Sequence, residues 1–147
     1  MIMSKKKNVL SISDAFKVIS FVLAAVLMTS CAQKVAFPDS AALPGADAVL
    51  KVDKNKNNNY ELELEVDNIA KPNRLTPPRN NYIVWLETSS HGTINIGNLR
   101  VSDKNKASMI TVTPYKPIRV FISAEDRQDV IFPSSQIVLN SEEFEVD

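Results

Sequence analysis

The chain has 147 residues, with 17 basic and 17 acidic side chains, and therefore no formal net charge. The first 30 residues hold four of the lysines and one of the aspartates, so the other 117 residues carry 13 basic and 16 acidic side chains, a charge of −3. This balance leaves no basic stripe of the kind that binds nucleic acid, and 117 residues are enough for one domain with its own core.

The N-terminal segment has the three parts of an export signal. The lysines Lys5–Lys7 precede an apolar run of 11 residues over 18–28, and Thr29 and Ser30 follow it. A positive start, a short apolar run and small residues are typical of a secretory signal peptide, whereas a membrane-spanning helix needs roughly 20 apolar residues. The sequence therefore predicts a signal peptide helix over residues 1–30.

Cys31, the only cysteine, directly follows this segment. The run Leu27-Met28-Thr29-Ser30-Cys31 resembles a bacterial lipobox, although Met28 stands where leucine is usual. The resemblance implies that Cys31 is acylated and becomes the first mature residue, and Ala32 after it implies the outer membrane. No acidic cluster follows the cysteine closely, so the periplasmic side is expected rather than surface display. A single cysteine has no disulfide partner, and two or more acyl chains give stable anchoring. The alternative is ordinary cleavage after the triplet 30–32, before Gln33.

The next segment predicts a flexible tether. Residues 31–47 contain two prolines and the Pro44-Gly45 pair, and they show neither a strand period nor a helix period. The folded domain is accordingly expected over residues 48–147. The mature chain is thus predicted to consist of a lipidated tether followed by one domain.

Short strands separated by turn residues fill the predicted domain. The clearest is Tyr60–Ile69, where apolar residues alternate with four carboxylates, a period of two that buries one face and solvates the other. Tyr82–Thr88 is apolar on both faces, which is typical of a central strand. The other predicted strands are Ala48–Asp53, Thr93–Val101, Ala107–Val112, Ile118–Ala124 and Gln136–Leu139. About seven short strands predict an all-β fold, a single immunoglobulin-like β-sandwich.

Two long connections are the candidate binding loops. Ala70–Asn81 contains three prolines and two arginines, and its length fits either a crossover between two sheets, which we favour, or a binding loop. Asp126–Ser135 is expected to be a solvated turn. The candidate binding residues are Arg74, Arg79 and His91.

Residues with catalytic or metal chemistry are few. Asp53, Asn55 and Asn57 match the opening of a calcium loop, but Asn58 and Leu64 replace the required glycine and glutamate, so a hairpin turn is the better interpretation. Ser89 and Ser90 precede His91, the only histidine, without any nucleophile-elbow motif. We therefore expect no enzyme activity, no metal and no cofactor.

Three apolar motifs support a family resemblance. The motifs are Tyr82-Ile83-Val84-Trp85-Leu86, then Ile96-Gly97-Asn98-Leu99, then Arg119-Val120-Phe121-Ile122-Ser123-Ala124-Glu125 before Pro133. With these motifs, residues 48–140 resemble the extracytoplasmic domain of anti-sigma-K-type factors. The resemblance implies a sandwich fold and a sensing or protein-binding role in the envelope, with Trp85 as a core anchor between the sheets. The sequence departs from that family because it shows no sigma-binding helices and no spanning helix, so it is not expected to sequester a sigma factor itself.

The sequence thus predicts an outer-membrane lipoprotein whose β-sandwich is a non-enzymatic protein-interaction or sensing module. Its partners are expected to be the membrane, through Cys31, and an envelope protein. The alternative is a carbohydrate- or ligand-binding module that uses aromatic side chains on the strands. The aromatic residues considered for it are Tyr82, Trp85, Tyr115 and Phe121.

Overall fold

Two four-stranded antiparallel sheets make up the described part of the chain. The structure, a computed structural model, describes residues 32–146, so the predicted signal peptide and Cys31 lie outside the described residues. The strands are β1 Gln33–Ala36, β2 Asp47–Lys54, β3 Tyr60–Asp67, β4 Asn81–Thr88, β5 Gly92–Leu99, β6 Ala107–Thr113, β7 Pro117–Glu125 and β8 Ile137–Asn140. The prediction of an all-β sandwich is confirmed.

The strand order is β1-β2-β3-β6 in the first sheet and β5-β4-β7-β8 in the second. The arrangement of β2, β3 and β6 in one sheet and β5, β4, β7 and β8 in the other is immunoglobulin-like. The chain crosses between the sheets three times, after β3, after β5 and after β6. The connection Ala70–Asn81 makes the first crossing from β3 to β4, so the favoured interpretation of that segment is correct. It includes one 3-10 turn, Pro72–Arg74.

Alternation along the strands builds the main core between the sheets. In β3, Tyr60, Leu62, Leu64 and Val66 are buried while the carboxylates between them face outward, as their period of two predicts. Three of these four carboxylates form ion pairs on the outer face, because Lys51 contacts Glu63 and Glu65, and Lys106 contacts Asp67. The row of carboxylates is therefore a surface feature of the first sheet.

The predicted tether is partly wrong, because its first residues form β1. Gln33–Ala36 pairs antiparallel with β2, from Gln33 opposite Val52 to Ala36 opposite Val49. Val35 and Leu43 are buried in the main core, 8% and 4% exposed. A four-residue strand followed closely by Pro38 is too short to show a period, so no local pattern predicts it. Within residues 32–146, the sandwich therefore begins at Gln33 and has eight strands.

Asparagine side chains and left-handed backbone shape the turns. Asn58, Asn68 and Asn105 have positive φ, a conformation that asparagine tolerates better than most residues. In the β2–β3 turn, the Asn55 side-chain oxygen accepts hydrogen bonds from the backbone N–H groups of Asn57 and Asn59. The segment that partly matched a calcium loop is thus a hairpin turn, as predicted.

Candidate functional site

The outer face of the second sheet carries a second, smaller core. Ile83 and Trp85 on β4 and Phe121 on β7 form a buried cluster there, separate from the core between the sheets. The Trp85 and Phe121 rings stack with centroids 6.2 Å apart and an interplanar angle of 16°. Trp85 is a core residue, as expected, but it does not anchor the two sheets to each other. The expectation of its place between the sheets is wrong because successive side chains of β4 point to opposite faces, and Tyr82, Val84 and Leu86 occupy the inner one.

The segment Asp126–Gln136, here called the covering loop, closes this second core. Val130 packs against the buried cluster. The Asn95 side-chain nitrogen donates to the Gln128 carbonyl oxygen at 3.1 Å and to the Val130 carbonyl oxygen at 2.9 Å. A register shift in the β4–β5 pairing and a hydrogen bond from the Gly97 N–H to the Asn95 side-chain oxygen set the direction of this amide. The segment is exposed over most of its length, as predicted for a solvated turn, and in addition Val130 and two backbone carbonyl groups attach it to the sheet.

A buried polar chain fixes the covering loop at its return to the sheet. The Trp85 indole N–H donates to Ser123 Oγ at 2.8 Å, and the Ser123 hydroxyl donates to Glu125 Oε1 at 2.5 Å. The Ser134 backbone N–H donates to the same Glu125 oxygen at 2.7 Å. Glu125 is only 5% exposed, so its carboxylate serves as an internal acceptor for two parts of the fold.

Arg79, one of the three candidate binding residues, ties the crossover to the covering loop. Its Nη1 lies 2.6 Å from the Asp126 carboxylate, and its Nε donates to Gln136 Oε1 at 2.8 Å. The Gln136 amide in turn donates to the Pro77 carbonyl oxygen at 3.0 Å. Arg79 therefore positions both ends of the covering loop, and its half-buried guanidinium is engaged within the fold.

The middle of the covering loop presents two large apolar side chains to solvent. Ile131 is 75% exposed and Phe132 is 76% exposed, although residues on both sides of them are held to the sheet. We call this pair the Ile131–Phe132 tip. Ile137, which is 47% exposed, begins β8 just after the same loop. No periodic pattern marks the tip in the sequence, and only the adjacency of two apolar residues within a polar loop could have pointed to it.

Arg74 and His91 do not join Arg79. Arg74 is exposed on the crossover. His91 lies in the β4–β5 turn, at the other end of the eight-residue strand β4, where its ring is 4.0 Å from that of Tyr115. Ser90 Oγ is 2.7 Å from His91 Nδ1, but both residues sit in an exposed turn. Among residues 32–146, no carboxylate forms an ion pair with His91 that would orient its ring.

The aromatic residues considered for carbohydrate binding are largely inaccessible. Tyr82 and Trp85 are fully buried, and Phe121 is 5% exposed. Burial raises the pKa of Tyr82 to about 12, and its hydroxyl donates to the Ala70 carbonyl oxygen. Tyr115 is half-buried against His91. These rings therefore do not form an exposed stacking platform.

A cleft beside the covering loop is lined mainly by amides and cations. It lies between the crossover and the end of β5 and has a volume of about 460 Å³. The side chains that give it its polar character are those of Lys71, Asn73, Arg79, Asn80, Asn81, Asn98, Arg100 and Gln128. Such donors suit a polyhydroxylated or anionic ligand better than an apolar one.

Within residues 32–146, no cluster of histidine, cysteine or acidic side chains has the arrangement of a metal site. The same residues contain no helix with the length and apolar character needed to cross a bilayer. Comparisons with protein-family profiles, with curated proteins and with solved structures returned no match. The similarity to anti-sigma-K-type factors therefore stays a prediction from the sequence.

Proposed function

We infer that this protein is an envelope lipoprotein, anchored through Cys31 on the periplasmic side of the outer membrane, whose β-sandwich is a non-enzymatic protein-interaction module. The observation that carries the inference is the Ile131–Phe132 tip. Two adjacent apolar side chains, each about three-quarters exposed, project from a loop that is fixed on both sides.

Leaving these side chains in water has a free-energy cost that folding does not recover. Full burial of a side chain of this size is worth roughly 1.5–3 kcal/mol. Adjacent exposed apolar residues on a polar surface mark interaction sites more often than scattered ones do. Because the covering loop is already held in place, a partner that covers the tip would not have to order it first.

The tip can be tested against a matched apolar pair on the other sheet. Ile110 and Val112 are 67% and 52% exposed on the outer face of β6. We compare wild-type acylated protein with the variants I131S/F132S and I110S/V112S in pull-downs from detergent-solubilised envelopes, quantified by mass spectrometry. A partner that uses the tip is enriched by wild type and I110S/V112S and lost with I131S/F132S. If each apolar contact contributes at least about 1 kcal/mol, the affinity falls about 30-fold or more.

Two results would contradict this function. In the first, no envelope protein is enriched above background by any of the three proteins. In the second, a partner is lost with I110S/V112S and kept with I131S/F132S, which would assign the contact to the edge strand β6. A partner that belongs to an envelope signalling system would support the role that the anti-sigma resemblance implies.

The amide-lined cleft supports a second candidate function, binding of a carbohydrate or another small polar ligand. Its support is that Asn80, Asn81, Asn98, Gln128 and Arg100 line the same cleft. Titration with soluble envelope glycans, followed by nuclear magnetic resonance of the asparagine side-chain amides, tests it. Shifts confined to these amides and abolished by Asn98→Ala would favour this candidate, and unchanged spectra would exclude the glycans used.

A further inference from the structure

We propose that two copies of this protein join through strand β6, whose free edge pairs antiparallel with β6 of the second copy. Ile110 of one copy then lies opposite Ile110 of the other, across a two-fold axis. The pairing extends the first sheet from four strands to eight. It depends neither on the acylation of Cys31 nor on the Ile131–Phe132 tip, which belongs to the other sheet.

The four edge strands of the sandwich are β1, β6, β5 and β8, and three of them have features that hinder further pairing. Strands β1 and β8 have four residues each, and β1 includes Lys34. The Val138 carbonyl oxygen of β8 accepts a hydrogen bond from the Ser40 hydroxyl. Strand β5 has a register shift against β4, and its Asn95 side chain binds the covering loop.

Strand β6 has none of these features. Its seven residues, Ala-Ser-Met-Ile-Thr-Val-Thr over 107–113, include neither a charged side chain nor a proline. It pairs with β3 without a register shift. Ile110 and Val112 are 67% and 52% exposed on its outer face. A straight, uncharged and apolar edge of this length is the kind to which another strand adds.

The register shows which backbone groups of β6 face the free edge. In the β2–β3 hairpin, the Asn55 N–H donates to the Asn59 carbonyl oxygen, so the odd-numbered residues of β3 bond to β2. The even-numbered residues of β3 therefore bond to β6, where they lie opposite residues 107, 109, 111 and 113. The N–H and C=O groups of Ser108, Ile110 and Val112 point away from β3. Within residues 32–146, no other segment supplies a hydrogen-bond partner for them.

A two-fold axis at Ile110 gives all of these backbone groups a partner. Ile110 is the central residue of β6, so the axis places Ser108 opposite Val112 of the second copy, and the reverse. Each of the three residue pairs exchanges two hydrogen bonds, as antiparallel strands do at such positions. Pro114, which has no N–H, ends the pairing just beyond β6. Strand β6 is therefore self-complementary, as a two-fold interface requires.

The charges around β6 also fit a second copy. On the outer face, isoleucine meets isoleucine and valine meets serine, so no like charges lie opposite each other. The carboxylates of β3 lie one strand back from the edge, so the two rows would be three strand spacings apart, about 14 Å. That distance exceeds the Debye length of about 8 Å at physiological salt. Lys51 already contacts Glu63 and Glu65, so these carboxylates do not call for a basic partner strand.

Single cysteines on β6 test the two-fold register. With Ile110→Cys, the two opposed Cα atoms would be about 5.5 Å apart, within the range that a disulfide spans. Two Val112→Cys sites would lie four residues apart along the strands, about 14 Å, which is too far. Mature protein is purified from envelopes in detergent, oxidised with copper phenanthroline and run on non-reducing gels. Wild type controls for disulfides through Cys31, the only native cysteine.

The expected result is a linked dimer from Ile110→Cys and several-fold less from Ser108→Cys or Val112→Cys alone. An equimolar mixture of the last two variants should link, because the register places these residues opposite each other. Equal linking by all three single variants, no linking by Ile110→Cys, or no gain on mixing overturns the proposal.

Sedimentation equilibrium of the same detergent-solubilised protein measures the dimer without a disulfide. Wild type and Ile131→Lys should be dimers, whereas Ile110→Lys should dissociate at least ten times more readily because two like charges are opposed. Mixing Ile110→Lys with Ile110→Glu should restore the dimer, since residue 110 meets itself. Trp85 emission checks that each variant is folded.

Other occupants of the edge give different results. A monomeric wild type, with an envelope protein lost in the pull-down only by I110S/V112S, would overturn self-pairing and assign the edge to another protein's strand. A dimer that Ile131→Lys abolishes and Ile110→Lys keeps would assign dimerisation to the Ile131–Phe132 tip and also overturn the proposal. Loss of the tip's partner with β6 cross-linking intact would contradict nothing here, because the two surfaces are separate; intact linking supports self-pairing whether or not that partner is found.

Discussion

Removing the Glu125 carboxylate should release the covering loop from the second sheet. Glu125 Oε1 accepts hydrogen bonds from the buried Ser123 hydroxyl and from the Ser134 backbone N–H, at 2.5 and 2.7 Å. A hydrogen bond to a charged group contributes about 1.5–3 kcal/mol, and a buried donor left without an acceptor loses a similar amount. We therefore expect Glu125→Ala to lower the free energy of unfolding by about 3 kcal/mol.

The assay combines urea denaturation with tryptophan fluorescence, since Trp85 is the only tryptophan. In wild type, the fully buried indole should emit at short wavelength and resist quenching by acrylamide. In Glu125→Ala, loss of the Ser134 contact loosens the covering loop above the indole. The emission should then shift to longer wavelength, and quenching should rise before global unfolding begins.

Two further variants make the test specific. Glu125→Gln keeps an oxygen acceptor without the charge, so we expect about half of the destabilisation. Glu142→Ala removes an exposed carboxylate and should change stability by no more than about 0.5 kcal/mol. If Glu125→Ala matched Glu142→Ala in stability and left Trp85 unquenched, the carboxylate would not be what holds the covering loop.

Three other predictions concern stability. The pKa of Tyr82 is raised to about 12 from an ordinary 10.0, so between these pH values the folded state keeps a proton that the unfolded state loses. The free energy of unfolding should therefore fall by up to about 2–3 kcal/mol as the pH rises from 10 to 12. Alkaline denaturation curves of Tyr82→Phe should lack this component. Because Leu43 is buried, Leu43→Ala should lower the free energy of unfolding in urea by about 2–4 kcal/mol. The exposed Pro44→Ala should lower it by less than about 0.5 kcal/mol. A similarly small loss for Leu43→Ala would mean that this segment is a free tether. Asn58 has a positive φ, so Asn58→Ala should lower the free energy of unfolding by about 1 kcal/mol, whereas Asn58→Gly should not lower it. Equal thermal midpoints for the two variants would count against that backbone conformation.

Strand alternation explains why the fold could be predicted from the sequence. The regular pattern of Tyr60–Asp67 assigned both faces of β3, and the doubly apolar run in β4 placed that strand at the centre of its sheet. The length of the Ala70–Asn81 connection correctly favoured a crossover. Each of these inferences depends on local spacing, which a single sequence displays directly.

The parts that sequence reasoning missed depend on contacts between distant residues. Val35 is buried because β1 pairs with β2, and four residues between polar and proline-containing segments carry no period. The covering loop is mostly exposed, as its polar residues predict, but its attachment to the sheet through Asn95, 33 residues before Gln128, could not be predicted. Neither contact has a local signature.

The candidate site was affected in the same way. The sequence predicts Arg79 as a binding residue because of its loop, whereas in the structure its guanidinium joins that loop to Asp126. His91 is also a candidate binding residue from the sequence, although β4 separates it from Arg79. Glu125 was visible in the sequence only as the last residue of a strand, and its role as an internal acceptor follows from the return of the loop at Ser134.

The comparative pull-down with the Ile131–Phe132 tip tests the central claim most directly. With acylated protein and solubilised envelopes, we predict a partner that wild type and I110S/V112S both enrich and that I131S/F132S loses. Retention of every enriched protein by I131S/F132S, with Trp85 emission showing that the variant is folded, would contradict the assignment of this surface as the site of interaction.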